Sequence, residues 1–114
     1  MLIVDDHPGF RSAARALLQA SGFDVVGEAA DGASALEAVR TLRPAIVLLD
    51  VQLPDLDGFA VAERLAEDGE PPAIVLTSSR SVASLRWRLA SNPAWSFIAK
   101  SELSEETLTA ALTG

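Results

Sequence analysis

The residues best able to do chemistry are polar groups that terminate apolar runs. Ile46-Val47-Leu48-Leu49 leads directly into Asp50, and Leu2-Ile3-Val4 into Asp5-Asp6. Ala73-Ile74-Val75-Leu76 ends at the hydroxyl of Thr77, and Trp95 to Ala99 ends at Lys100, the only lysine beside eight arginines. Two carboxylates about 4 Å apart repel by roughly 4 kcal/mol at an effective dielectric of 20, so a gathering of Asp5, Asp6 and Asp50 needs a cation. A hard divalent ion such as Mg²⁺ suits it, because Mg²⁺ uses one or two carboxylates, waters and a phosphate rather than a closed protein cage. The chemistry that follows is formation of an acyl phosphate. Asp50 is the nucleophile, the cation neutralises developing charge, and Lys100 and Thr77 contact phosphoryl oxygens.

The elements must then bring these groups together. Four large aliphatics without polar alternation predict a strand covered on both faces, as in a parallel sheet flanked by helices. Ligands of such sheets bind outside the carboxyl ends of the strands, where Asp50 stands. A helix is expected from about Pro8 to Ser21, with Phe10, Ala13, Ala14, Leu17 and Leu18 inward, Pro8 in its first turn and Gly22 after its end. Phe23 to Ala29 partly alternates, as an edge strand would. Asp31-Gly32 opens a second helix that Pro44 ends, and 58–68 reads as a third, stopped by Gly69-Glu70-Pro71-Pro72. Ser81 to Ala90 predicts a fourth helix with Val82, Leu85 and Leu89 inward, broken by Asn92-Pro93, and Leu103 to Leu112 a last one. Strands and helices in alternation give a (βα)5 doubly wound parallel sheet of the flavodoxin-like kind, strand order 2-1-3-4-5.

The chain of 114 residues is expected to be a single domain, 1–114, with no output domain. Its net charge of −7 argues against direct nucleic-acid binding through phosphates. No apolar stretch has membrane-spanning length and no leader is evident, so the expectation is a cytoplasmic protein without membrane contact. The absence of cysteine removes disulfides and thiolate metal sites.

The segments Val4-Asp5-Asp6-His7-Pro8, Leu48-Leu49-Asp50-Val51-Gln52-Leu53-Pro54-Asp55-Leu56-Asp57-Gly58, Leu76-Thr77-Ser78 and Phe97-Ile98-Ala99-Lys100 resemble the receiver domain of two-component response regulators, over the whole chain. The start and the Lys100-Ser101 ending are similar to receivers with a LuxR-like helix-turn-helix output. The resemblance implies a phosphoacceptor signalling domain rather than an enzyme. Asp50 is then the phosphoacceptor, and Asp5 and Asp6 hold Mg²⁺ with Asp50 and the backbone carbonyl of Gln52. Thr77 is the switch hydroxyl, Phe97 the switch aromatic and Lys100 the phosphate-binding lysine. It also implies a sensor histidine kinase or phosphotransfer protein as partner, and a surface of the fourth helix, strand five and the last helix that changes on phosphorylation and offers a homodimer contact. Two departures touch that surface: Ser101 stands where the family often has proline, and Asn92-Pro93-Ala94-Trp95 replaces a Gly-Ala turn.

Plainer roles exist for each group. Asp50 could start a turn, Asp6 could cap a helix, Thr77 could serve β propensity, Phe97 could be core, and His7 reads as a surface residue. Trp87 and Trp95 either pack locally or contribute to a partner surface near the fourth helix. A haloacid-dehalogenase reading needs an acid two residues after Asp50, where Gln52 stands. A flavin or nucleotide site needs an anion-binding loop after strand one, which is acidic here. A receiver-like interaction module that is never phosphorylated stands as the alternative.

Overall fold

The computed structural model describes residues 1–79 and 95–113. Five parallel strands, β1 (Leu2–Val4), β2 (Gly27–Ala29), β3 (Ile46–Asp50), β4 (Ala73–Ser78) and β5 (Ser96–Ala99), form one sheet in the order β2-β1-β3-β4-β5. Helices α1 (Pro8–Ala20), α2 (Gly32–Leu42), α3 (Gly58–Ala66) and α4 (Glu105–Thr113) connect or follow them. The architecture is the flavodoxin-like one expected. The predicted fourth helix at Ser81 to Ala90, with Trp87 and the Asn92 to Ala94 turn, lies outside the described residues.

The two-residue period of the strands divides the core. Leu2 and Val4, Val47 and Leu49, and Ile74 and Leu76 face one side with Ala35 and Val39 of α2 and Phe59, Val61, Ala62 and Leu65 of α3. Ile3, Leu48, Val75 and Ile98 face the other with Ala14 and Leu18 of α1 and Leu108 of α4. Alternate residues of one strand thus serve different cores, which is why β3 and β4 read as unbroken apolar runs.

Several boundaries differ from the sequence expectation. Strand two was expected from Phe23, yet β2 begins at Gly27. Its ladder to β1 starts at the Leu2–Gly27 pair, and before it only Met1 reaches the segment from the β1 side, its carbonyl accepting from the Val26 N–H at 2.9 Å and its terminal ammonium donating to the Asp24 carbonyl at 2.6 Å, among the described residues. The second helix ends at Leu42. Arg43 adopts a left-handed conformation (φ 47°) and donates its N–H to the Val39 carbonyl, so the helix closes one residue before Pro44. After β5 the chain makes a short 3-10 turn over Lys100–Glu102, which delays α4 to Glu105. Ser104 accepts from the Thr107 N–H at 3.1 Å and caps that helix. Among the described residues no helix is long and apolar enough to cross a membrane.

Candidate functional site

The site lies at the carboxyl edge of the sheet. Asp50 is the last residue of β3 and pairs in register with Thr77 of β4, so both side chains leave the sheet on the α1 and α4 side, opposite in parity to Leu49 and Leu76. Asp5 follows β1 with the parity of Ile3 and arrives on the same side. Its N–H donates to the Ala29 carbonyl at 3.0 Å, extending the β1–β2 ladder by one bond. Asp5, Asp50 and Thr77 are all buried.

Lys100 closes the group from β5. Its Nζ lies 2.7 Å from Asp5 Oδ2 and 3.0 Å from Asp50 Oδ2. The ammonium also sits 4.7 Å from the centre of the Phe10 ring, so helix α1 supplies an aromatic face beside the charge. Burial works against the Lys100 charge, but the bonds to Asp5 and Asp50 outweigh it and hold its pKa above the ordinary lysine value. Burial pushes the Asp50 carboxyl up, opposed by the Gln52 N–H and by Lys100, and the neighbouring Asp5 charge adds to the rise.

The expected acid pair divides by exposure. Asp5 is fully buried, whereas the Asp6 side chain is 37% exposed at the rim. Ligand atoms of Asp5, Asp6, His7 and Asp50 all lie within 4.8 Å of one another. Thr77 Oγ1 is buried without a hydrogen-bond partner among the described residues. A hard oxygen donor set and an unsatisfied hydroxyl beside it fit a divalent cation and a phosphoryl group.

The loop after Asp50 is built around backbone contacts. The Gln52 N–H donates to Asp50 Oδ1 at 3.0 Å, Gln52 and Asp57 form an isolated bridge, and the Gly58 N–H donates to the Val51 carbonyl at 2.9 Å. A Cβ on Gly58 would meet the Asp50 carbonyl oxygen and lie 2.6 Å from Val51 Cα, so only glycine lets α3 start this close to the strand end. Asp57 caps α3 through the Phe59 N–H at 2.7 Å. Asp55 reaches across to α2, accepting from the Gly32 and Ala33 N–H groups at 2.7 and 3.0 Å, and these bonds hold its carboxyl below the ordinary aspartate range.

Phe97 is half-buried at the edge of the α2 and α3 core, and Trp95 is half-buried with its ring 6.1 Å from that of Phe59. The sequence reading missed two supports: Phe10 beside Lys100, and Arg11, whose guanidinium donates to the Asp5 carbonyl at 2.6 Å. Phe10 carried only a core signal and Arg11 only a solvent-face signal, because helical periodicity says nothing about which strand end a helix covers.

A doubly wound sheet with clustered carboxylates and a bridging lysine at its carboxyl edge defines a small α/β signalling domain. The chain belongs to the family described as "Response regulator receiver domain", whose model matches residues 1–113. BvgA of Bordetella pertussis, described as a transcription regulator of virulence factors, is 35% identical over 111 residues, 97% of this chain and 53% of BvgA. A Pseudomonas aeruginosa protein described as a transcriptional regulator is 37% identical over 97% of this chain and 54% of its own length, so the chain spans about half of these curated relatives. The signal receiver domain of NarL from Mycobacterium tuberculosis superposes with a TM-score of 0.83 at 31% identity, covering 99% of this chain and 95% of that one. A LuxR-family two-component response regulator from Aurantimonas superposes at 0.81 with 26% identity, over 98% and 80% of the two chains.

Proposed function

We propose that Asp50 accepts a phosphoryl group from a histidine of a sensor kinase or phosphotransfer protein, with Mg²⁺ held by Asp5, Asp6, Asp50 and the Gln52 carbonyl. The observation that carries this reading is Lys100 Nζ bridging Asp5 and Asp50 while the register neighbour Thr77 has a buried hydroxyl with no partner among the described residues. In the transfer, an Asp50 carboxylate oxygen bonds to phosphorus as the P–N bond to the donor imidazole breaks. Bound Mg²⁺ supplies charge neutralisation at the phosphoryl oxygens. Lys100 follows Asp50 Oδ2 to the new anionic oxygens, and Thr77 donates its hydroxyl to one of them.

The switch begins with that hydroxyl. Once Thr77 has an acceptor, the space it leaves admits Phe97, and the surface of β5, α4 and the predicted fourth helix changes. That surface is the proposed site of homodimerisation or output contact. Residues 1–114 form a single receiver domain working in the cytoplasm, and DNA contact, where it occurs, belongs to an output partner or domain.

The test is labelling with a small-molecule phosphodonor, acetyl phosphate, in Mg²⁺. Wild type takes up one acid- and base-labile, hydroxylamine-sensitive acyl phosphate, and Asp50→Asn abolishes it while circular dichroism stays unchanged. Label retained on another residue overturns the assignment. No label in wild type, together with no response to beryllofluoride, establishes the unphosphorylated interaction module instead.

A further inference from the structure

Helix α1 starts at the carboxyl edge of the sheet, because it follows the end of β1 directly. A helical side chain tilts toward the N-terminus of its helix, so a residue in the first turn projects toward that edge. Phe10 stands in this first turn, behind Pro8 and Gly9. Arg11 fixes the turn in place by donating from its guanidinium to the Asp5 carbonyl at 2.6 Å. Phe10 is half-buried and packs against the core on the α1 and α4 side of the sheet. The ring lies under Lys100, with Nζ 4.7 Å from its centre, inside the range of a cation–π contact. Lys100 is the only lysine of the chain, and its side chain is 13% exposed.

We infer that Phe10 is a positioning residue for phosphoryl capture: its ring keeps the Lys100 ammonium at the strand ends while Asp50 gives up its charge to the bond with phosphorus. This rests on the reading of Asp50 as phosphoacceptor and Lys100 as its phosphate contact. Before transfer two carboxylates hold the ammonium, Asp5 Oδ2 at 2.7 Å and Asp50 Oδ2 at 3.0 Å. Once an Asp50 oxygen is bonded to phosphorus, the second hold passes to the phosphoryl oxygens. A lysine stem is flexible, and ordering it costs entropy comparable with a single contact. The ring presents the negative face of its quadrupole to the ammonium, and that attraction depends on no carboxylate, so it persists through the transfer. An aliphatic side chain of similar size would fill the same core position without this attraction. A larger ring also has room, since Phe10, Ala13, Ala14, Leu17, Lys100 and Leu103 line a cavity of about 220 Å³.

The experiment exploits the single lysine. Isotope-labelled lysine gives one ε-methylene signal in the magnetic resonance spectrum, and in wild type the ring shifts that signal upfield. Phe10→Leu keeps the apolar bulk and removes the ring, whereas Phe10→Trp supplies the better cation–π partner. The rate of labelling by acetyl phosphate in Mg²⁺ is expected to fall about fivefold in Phe10→Leu, the scale of one ring–ammonium attraction at a largely desolvated site, and to match or exceed wild type in Phe10→Trp. The lysine signal returns to its ordinary position in Phe10→Leu and stays upfield in Phe10→Trp. A Phe10 that only fills the core gives the opposite order, with leucine tolerated and tryptophan slow. Unchanged labelling in Phe10→Leu, or slow labelling in Phe10→Trp, therefore overturns the inference alone, as does an unshifted lysine signal in wild type. If wild type takes no label, the phosphoacceptor reading falls, and the role assigned to Phe10 falls with it.

Discussion

Asp50 is ionised for its proposed role although burial favours its neutral form. With its folded pKa raised, the folded state binds its proton more tightly than the unfolded state does, so the ionised carboxylate costs stability above the folded pKa and that cost disappears as pH falls through it. Asp50→Asn keeps the shape, removes the repulsion from Asp5 and leaves Lys100 paired at 2.7 Å to Asp5. Removing one partner of a buried ion pair usually costs stability, because the other charge is left uncompensated. Here Asp5 keeps Lys100 paired and the raised Asp50 pKa marks a net cost of its charge, so a gain on the order of 1 kcal/mol is expected. We expect calorimetry to show a melting temperature higher by about 4 °C at neutral pH, with the gain shrinking in acid. A lower melting temperature at neutral pH would mean that the Lys100–Asp50 pair outweighs the burial of the charge. The same substitution therefore separates chemistry from folding: loss of the label together with a higher melting temperature is the expected outcome.

At the scale of elements, the loop between β3 and α3 is the part that shapes the pocket. Gly58 begins α3 with its backbone against Asp50 and Val51, and the contacting atoms are main chain, which cannot rotate away. Gly58→Ala is expected to cost about 2 kcal/mol, in the range of other overpacked substitutions, and to slow labelling because the displaced atoms belong to Asp50, the proposed phosphoacceptor, and to Val51. Urea denaturation and the labelling rate measure the two effects. Gly9 is the control: a Cβ there meets nothing within 4 Å, so Gly9→Ala, in the first turn of α1, should leave labelling unchanged and raise stability by up to about 1 kcal/mol. Equal effects at both positions would remove the close-approach argument. Asp55 belongs to this loop and yet caps α2, so the segment that ends in Gly58 also ties the start of α2 to the site.

At the scale of the whole molecule, the acidic pocket and the proposed output face lie at opposite ends of a short path from Thr77 to Phe97. Phe97 pairs in register with Leu76, the residue before Thr77, and shares a shallow surface groove with Ile98, Glu102, Thr107, Ala110 and Ala111. A change at Thr77 thus reaches β5 through one strand pairing and α4 through direct packing. Beryllofluoride with Mg²⁺, which stands in for the phosphoryl group, is expected to double the mass seen by sedimentation at micromolar concentrations. A bound analogue with unchanged mass would confine the output to contacts made by a monomer.

The sequence by itself determined much of this. Apolar runs without alternation marked β3 and β4 as doubly covered strands, and polar groups at the ends of four runs named Asp5, Asp50, Thr77 and Lys100. Helical stripes placed α1 to α3 to within about three residues at their ends. Those signals are local, since strand periodicity and helix caps act over a few residues. The tertiary structure decided which acid is buried: Asp5 and Asp6 are adjacent and chemically alike, and only the parity of β1 turns Asp5 toward Lys100 and leaves Asp6 at the rim. It also decided that β2 is three residues long, because its partner strand offers no more, and that Phe10 lies beside Lys100. A lysine joined to an aspartate fifty residues away is a property of the packed sheet, and no local pattern could carry it.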